Sequence, residues 1–179
     1  YGLKSMTVMY NDYVVVGPKD VTANIKGSGI DATKDFAKIA EAKSKFVYRG
    51  DKSGTNTKEL SLWTAANIKP AGDWYISAGK GMGAVLTMAS EMKAYTLTDK
   101  ATYLTMKDKL DLDIVVDATP DLKNQYTIIQ VDPKKYSKTN TEASDEFVKW
   151  VTSEKVLKLI GEYGKDKYGE PLFIVNYGK

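Results

Sequence analysis

The sequence lacks two residue types that carry much of protein chemistry. None of its 179 residues is a cysteine or a histidine. The missing cysteines exclude disulfides, a thiol nucleophile and thiolate metal ligands. The missing histidines argue against zinc catalysis, a histidine-based triad and an imidazole pH switch. We therefore expect neither a resident metal nor another cofactor.

Long hydrophobic runs and strong net charge are also missing. No apolar run approaches the roughly 18 residues that a bilayer-spanning helix needs. No signal peptide is visible, although a cleaved one would leave no trace. The net charge is only +3, and the lysines alternate with acids, so a nucleic-acid-binding stripe is not indicated. The composition, 42% apolar and 27% charged, fits one globular domain or two small lobes.

Arginine is nearly absent as well. Of the 26 lysine and arginine residues, only Arg49 is an arginine. It lies in residues 48–57, Y-R-G-D-K-S-G-T-N-T. A planar guanidinium grips an oxyanion with two parallel hydrogen bonds, which an ammonium group cannot do. This usage predicts that position 49 needs the guanidinium.

The surroundings of Arg49 predict a strand-to-helix loop. The apolar run 46–48 is typical of a strand, and the pattern over 56–67 is typical of a helix that ends before a proline. The free amides and the positive dipole end of a helix N-terminus attract anions. Together with Arg49 they predict a small-anion cradle. The candidate residues where the helix begins are Ser53, Gly54 and Thr55.

Three simpler interpretations of this loop stay open. Helices commonly begin at a serine, threonine or asparagine, and Asn56 with Glu59 fits a capping box. Arg49 could instead pair with Asp51 for structural reasons. The embedded Arg-Gly-Asp also matches an adhesion motif, although three residues recur often by chance.

A second glycine-rich segment, A-G-K-G-M-G at 78–83, precedes a helix predicted over 82–92. It matches neither a Walker A loop nor the dinucleotide-binding fingerprint. One interpretation is close packing of the helix on a sheet. The other is a second set of helix N-terminal amides directed at the same anion. The candidate residues are Gly81, Met82 and Gly83.

The rest of the chain alternates strands and helices. The first strand is one long element or two joined at Asn11-Asp12, and it stops at Gly17-Pro18. A Gly/Ser turn precedes the first helix, and Pro120 and Asn124 mark a loop. Further strands are predicted over 6–16, 94–97, 112–116 and 125–131. Further helices are predicted over 31–42, 100–105, 142–151 and 153–163. We expect 8–16 and 125–131 to lie side by side as crossing strands.

Several stretches together resemble one family. These are Y-N-D-Y-V-V-V-G-P, Y-R-G-D-K-S-G-T, W-Y-I-S-A-G-K-G-M-G, A-Y-T-L-T-D-K-A-T-Y-L and L-F-I-V. They resemble the extracytoplasmic tungstate-binding components of ABC importers, which belong to the type II periplasmic binding protein superfamily. The resemblance covers nearly the whole chain. Its specific part is R-G-D-x-S-G-T followed by G-M-G in this order and spacing.

The resemblance implies an α/β fold of two lobes joined by two crossing strands, with an oxyanion in the cleft. Residues 17–123 would form a complete middle lobe. Residues 1–16 and 124–179 would hold the crossing strands and the remainder of a partial other lobe. We expect a Thr/Ser-rich anion loop of that lobe to lie outside this chain. The implied ligand-binding residues are Arg49, Ser53, Gly54, Thr55, Gly81, Met82 and Gly83.

The implied function is a non-enzymatic one. The protein would bind tungstate in the periplasm or outside the cell and deliver it to an ABC permease, with lipid anchoring of the full-length protein left open. Molybdate, phosphate and sulfate are alternative ligands. An enzyme acting on a phosphorylated substrate would need a base such as Asp12, Asp51 or Asp99, and a purely adhesive fragment is a third reading. Exposed strand edges would favour pairing into a homodimer.

Overall fold

The computed structural model of the protein describes residues 2–20, 25, 31–117 and 119–178. The predicted Gly/Ser turn lies outside these residues. The chain divides into two compact units, residues 12–123 and residues 1–11 with 124–179. The predicted lobe boundary at residue 17 stays a prediction. Within the described ranges, no helix has the length and apolar character that crossing a membrane requires.

The longest strand is β1, Gly2–Pro18, with 17 residues. It is continuous through Asn11-Asp12, so the alternative of two joined strands is wrong. Val14, Val15 and Val16 are fully buried in consecutive positions. Since successive side chains of a strand point to opposite faces, β1 is covered on both faces here. The strand is longer at both ends than the predicted 6–16, and its last residue is Pro18, which has no N–H for the ladder.

The unit formed by residues 12–123 contains a mixed set of strands. They are β2 Phe46–Tyr48, β3 Tyr75–Ser77, β4 Thr96–Asp99 and β5 Leu112–Val116. Both β4 and β5 run antiparallel to β1, in the order β4-β1-β5. By contrast, β2 and β3 are parallel, with Val47 opposite Ile76. Phe46 also forms a parallel bridge with Tyr95 just before β4.

Helices cover both faces of these strands. They are α1 Ala32–Glu41, α2 Gly54–Ala65, α3 Met82–Glu91 and α4 Lys100–Met106, with 3-10 turns at Lys107–Lys109 and Pro120–Leu122. Phe46 packs in one core cluster with Phe36 of α1 and Trp63 of α2, whose rings lie 4.4 Å apart. The next residue, Val47, packs in a second cluster with Leu86 of α3. Helices α1 and α2 therefore pack in the cluster on one face of β2, and α3 packs in the cluster on the other face.

The other unit, residues 1–11 with 124–179, is built around the first part of β1. It contains β6 Lys123–Val131, α5 Thr141–Val151, α6 Glu154–Glu162, α7 Lys165–Tyr168 and β7 Ile174–Val175. Both β6 and β7 pair with β1, and the β7 pairing is antiparallel with Met9 opposite Val175. The predicted pairing of the two long strands is thus confirmed. The predicted loop at Asn124 is wrong, because β6 already includes that residue and its amide donates to Asn11 Oδ1 over 2.8 Å.

The starts of α2 and β4 differ from prediction for identifiable reasons. Helix α2 begins at Gly54 rather than at 56, because Ser53 acts as its N-cap. Strand β4 begins at Thr96 rather than at 94, because the ladder with β1 begins there. The residue before it, Tyr95, instead exchanges backbone hydrogen bonds with Lys45 and Val47.

A substitution at Gly17 tests the packing of β1. A Cβ at this position would lie 2.5 Å from Cδ1 of the buried Tyr95 ring. We expect Gly17→Ala to lower the free energy of unfolding by about 1–3 kcal/mol, because overpacking displaces the ring. The matched control is Gly161→Ala in α6, where the new Cβ would make an ordinary 3.6 Å contact and alanine favours the helix. Urea denaturation measures both, and a Gly17→Ala variant as stable as wild type would contradict this packing.

Candidate functional site

The two glycine-rich loops leave the same edge of the structure. Strands β2 and β3 are parallel and end opposite each other at Tyr48 and Ser77. Ala78 N donates to Tyr48 O over 2.9 Å. The two loops lie close together at Gly50. A Cβ added to this glycine would collide with Ser77 and lie 3.6 Å from Gly79 N. This carboxyl edge is where open α/β folds bind their ligands.

The first loop ends in a helix N-terminus with free donors. Ser53 is the N-cap of α2, and its Oγ accepts from Asn56 N over 3.3 Å. The proposed capping box of Asn56 with Glu59 is therefore wrong, since Asn56 is the third residue of the helix. The backbone N–H groups of Gly54 and Thr55 have no acceptor in the described part of the chain. A helix of 12 residues places a positive dipole end at these amides.

Arg49 lies at the start of this loop and is paired with Asp51. Its Nε and Nη2 both donate to Asp51 Oδ2, over 2.9 Å and 2.5 Å. The side chains are 21% and 28% exposed. Both bonds use one edge of the guanidinium, and no other described residue accepts from it. The edge formed by Nη1 and Nη2 is therefore still able to bind two oxygens.

Asp51 is held in its ionised form. The Ser53 hydroxyl hydrogen bond lowers the pKa of Asp51 most strongly. The Ser53 backbone N–H, at 3.1 Å, and the Arg49 guanidinium lower that pKa further. At neutral pH the ionised carboxylate therefore accepts the hydrogen bonds from Arg49. The structural pairing predicted as an alternative is present, and it leaves one guanidinium edge for a ligand.

A buried carboxylate lies beneath the loop. Glu59 is 2% exposed, and with Arg49 and Thr55 it lines a small recess. Its Oε1 accepts from Trp63 Nε1 and, over 2.7 Å, from the Tyr75 hydroxyl. Its Oε2 accepts from the Asn56 side chain over 3.3 Å. Burial raises the pKa of Glu59 to about 7, against the lowering effect of these hydrogen bonds.

Sequence reasoning missed this network, although a local signal was present. Asn56, Glu59 and Trp63 are spaced three and four residues apart, so they share one face of a helix. Amphipathic helices usually place apolar residues on the face they bury. Two polar residues beside a tryptophan on a buried face are the signal that could have revealed the network.

The second loop offers backbone donors without a side-chain cap. Gly81 is the N-cap of α3 and makes no side-chain hydrogen bond. A side chain at Gly79 or Gly81 would meet nothing within 4 Å, so close packing does not explain these two glycines. Met82 is buried in the core, and only its backbone faces the loop. The N–H groups of Met82 and Gly83 find no acceptor in the described ranges.

Two of the three acidic residues considered as catalytic bases have other roles, since Asp51 pairs with Arg49. Asp99 is the N-cap of α4 and accepts from Thr102 N over 2.8 Å. Burial and then the neighbouring Asp117 raise the pKa of Asp12. Within the described residues, no group of three or more acidic side chains is arranged to hold a metal ion.

The chain belongs to the PBP superfamily, since residues 2–155 match the model described as PBP superfamily domain. It is 51% identical to the tungstate-binding protein TupA of Peptoclostridium acidaminophilum, over 99% of this chain and 63% of that protein. The chain thus spans less than two thirds of this curated relative.

Two solved structures are similar to this one. The tungstate ABC transporter structure from Geobacter sulfurreducens is 43% identical with a TM-score of 0.77, over 91% of this chain and 69% of that one. TupA from Desulfovibrio alaskensis G20 is 34% identical with a TM-score of 0.84, over 99% and 72%. The predicted resemblance and α/β fold class are confirmed.

The buried carboxylate predicts a pH-dependent stability. The pKa of Glu59 is about 7 in the folded protein and near its ordinary value of 4.5 when unfolded. Between these values the folded state binds more protons. The free energy of unfolding therefore falls as pH rises from about 4.5 to 7, by roughly 1–3 kcal/mol. Glu59→Gln should remove this part of the pH dependence.

Urea denaturation at several pH values between 5 and 8 measures this effect. The matched control is Glu41→Gln, which neutralises an exposed glutamate at the end of α1. That variant should keep the wild-type slope of stability against pH. If wild type and Glu59→Gln show the same slope, Glu59 does not titrate in this range.

Proposed function

We propose that this chain is the oxyanion-binding part of the extracytoplasmic solute-binding component of an ABC importer. The ligand we propose is tungstate, which the full-length protein would deliver to a membrane permease. The location would be periplasmic or extracellular, and a lipid anchor on the full-length protein is compatible with this role. The names of the relatives, which refer to tungstate binding and ABC transport, support this proposal.

The observation that carries the proposal is the geometry of Arg49. Asp51 anchors one edge of the guanidinium, so the plane of the group is fixed before any ligand arrives. The other edge offers two parallel donors, which fit two oxygens of a tetrahedral anion. The free amides of Gly54 and Thr55 lie at the helix start in the same loop. This combination recognises an oxyanion by direction as well as by charge.

We extend the proposed site to the second loop. The amides of Met82 and Gly83 are free, and the open space at Gly81 allows an anion to approach the backbone. The hydroxyl of Ser53 serves first as the cap of α2, whereas Thr55 lines the recess with Arg49. The proposed ligand-binding residues are Arg49, Ser53, Gly54, Thr55, Gly81, Met82 and Gly83.

Titration calorimetry of the full-length protein tests the ligand. Tungstate, molybdate, sulfate and phosphate share a tetrahedral shape and differ in size and protonation. We expect tungstate to bind most tightly. Preference for another of the four would change the ligand but keep the site. No binding of any of them would contradict the proposed function.

Substitution of Arg49 tests its role. Each charge-assisted hydrogen bond in a desolvated site contributes roughly 1.5–3 kcal/mol. Arg49→Lys keeps the charge but loses the parallel pair, so we expect tungstate affinity to fall about tenfold to a few hundredfold. Arg49→Ala should weaken binding further. Calorimetry gives the affinity, and thermal unfolding of the same variants gives the stability.

The matched control is Lys69→Ala, which removes one positive charge at an exposed position outside both loops. It should keep wild-type affinity, which separates the guanidinium geometry from a general charge effect. If Arg49→Lys keeps its affinity and loses thermal stability instead, the pairing with Asp51 is the whole role of Arg49.

We further propose that this chain by itself forms a homodimer. The unit of residues 1–11 with 124–179 exposes many large apolar side chains, and apolar patches of this kind mark interfaces. Ile129, Val131 and Tyr136 line an apolar hollow of about 560 Å³. The large apolar side chains of this unit that are more than half exposed are Leu3, Ile129, Phe147, Trp150, Leu159 and Tyr163.

Light scattering coupled to size-exclusion chromatography tests the dimer. We expect this chain to elute as a dimer, and Ile129→Lys to convert it to a monomer, because a charge in the hollow opposes its burial. The matched control is Leu60→Lys in α2, where the leucine is 48% exposed. Leu60→Lys should remain dimeric. A monomeric wild-type chain would contradict this interface.

A further inference from the structure

We propose that Asn56 and Glu59 are positioning residues for the oxyanion site. Glu59 determines the orientation of the Asn56 side-chain amide. The oxygen of that amide accepts hydrogen bonds from the backbone of the loop that carries Arg49. The inference concerns the internal hydrogen bonds of the loop, and its effect on tungstate rests on the proposed function.

The loop after β2 has an unusual backbone. Gly50 has φ of +68° and Lys52 has φ of +59°. Lysine rarely adopts this left-handed conformation, because its Cβ crowds the backbone. Such a conformation persists only where surrounding contacts hold it. Contacts with neighbouring residues must therefore stabilise the backbone of residues 50–52.

The Asn56 side chain supplies such contacts. Its Oδ1 accepts from Asp51 N over 3.0 Å and from Lys52 N over 3.4 Å. Asn56 is only 6% exposed, so water cannot readily replace its amide. Asp51 in turn binds the guanidinium of Arg49. The placement of Arg49 thus depends on the carbonyl oxygen of the Asn56 amide.

An asparagine amide can sit two ways round, because its oxygen and nitrogen differ only in hydrogen bonding. If the two atoms exchanged places, the Nδ2 donor would face the two backbone N–H groups of the loop. Glu59 prevents this exchange. Its ionised carboxylate only accepts hydrogen bonds, so Oε2 requires the donor Nδ2 to point toward it. The acceptor Oδ1 then has to point at the loop.

The other partners of Glu59 fix this order of donors and acceptors. Trp63 Nε1 can only donate, and Oε1 accepts from it and from Tyr75. In Glu59→Gln the carbonyl oxygen must therefore stay with Trp63. The new amide nitrogen would then face Nδ2 of Asn56, donor against donor. Either that contact is lost or Asn56 turns round and the loop loses both of its bonds.

A reciprocal pair of substitutions restores the matching of hydrogen-bond donors with acceptors. Asn56→Asp alone sets two carboxylates face to face. Combined with Glu59→Gln, the carboxylate at position 56 accepts from the loop on one oxygen and from the amide at position 59 on the other. Every donor again faces an acceptor, and the side-chain volumes are almost unchanged. If the two side chains only filled space, the double variant would have no reason to recover the properties that the single variants lose.

The test uses the full-length wild type, both single variants and the double variant at pH 8, above the pKa of about 7 of Glu59. Calorimetry measures tungstate affinity, and NMR hydrogen exchange measures protection of the Asp51 and Lys52 amides. We expect each single variant to lose about tenfold or more in affinity, and Glu59→Gln to lose protection at both amides. Asn56→Asp keeps an acceptor for the loop, so its loss comes from the two facing carboxylates. We expect the double variant to recover both to within about threefold of wild type.

Each outcome decides the inference. A double variant that loses as much as the two single losses combined overturns it, and so does unchanged amide protection in Glu59→Gln. If the single variants do not fold, a folded double variant supports the inference and an unfolded one overturns it. If wild type binds none of tungstate, molybdate, sulfate and phosphate, the proposed function fails, while the amide exchange still decides the positioning role.

Discussion

The hydrogen bonds to the buried Glu59 carboxylate connect the elements on which the candidate site is built. Its partners come from the first and last turns of α2, through Asn56 and Trp63, and from β3 through Tyr75. Burying a charge is costly unless several donors satisfy it, and three donors converge here. The Tyr75 ring also stacks on Tyr48 at 4.1 Å, at the end of the strand that leads to Arg49. One carboxylate thereby links a helix, two strands and a loop.

The site that this framework supports has little net charge of its own. Arg49 is compensated by Asp51, so attraction for an anion rests on the unpaired guanidinium edge and on backbone amides. Two helices, α2 and α3, begin at the same carboxyl edge, because β2 and β3 are parallel. Directional donors of this kind distinguish ligands by the positions of their oxygens. A bare positive patch would distinguish them mainly by charge and would weaken with salt.

Local patterns predicted much of the fold. The strand at 112–116 and the first helix depend on alternation, periodicity and caps within a few residues. The strand formed as predicted, and the helix Ala32–Glu41 lies within one residue of the predicted 31–42 at each end. Errors arose where distant residues decide. The shift of β4 depends on the bridge between Tyr95 and Phe46, about fifty positions away in the chain.

The candidate site follows the same rule. Its single arginine was visible in the sequence, whereas the contact of Glu59 with Tyr75 and the side-on pairing with Asp51 required coordinates. The long strand β1 has a further consequence during synthesis of the chain. Its partners lie far along the chain, such as Asp99 for Tyr13 and Val175 for Met9. Since translation adds about 5–20 residues per second, β1 waits on the order of ten seconds for its last partner. The Val14–Val16 segment gains its partners earlier, once β4 and β5 have been synthesised. Until then it is an unpaired apolar strand that can pair with another chain.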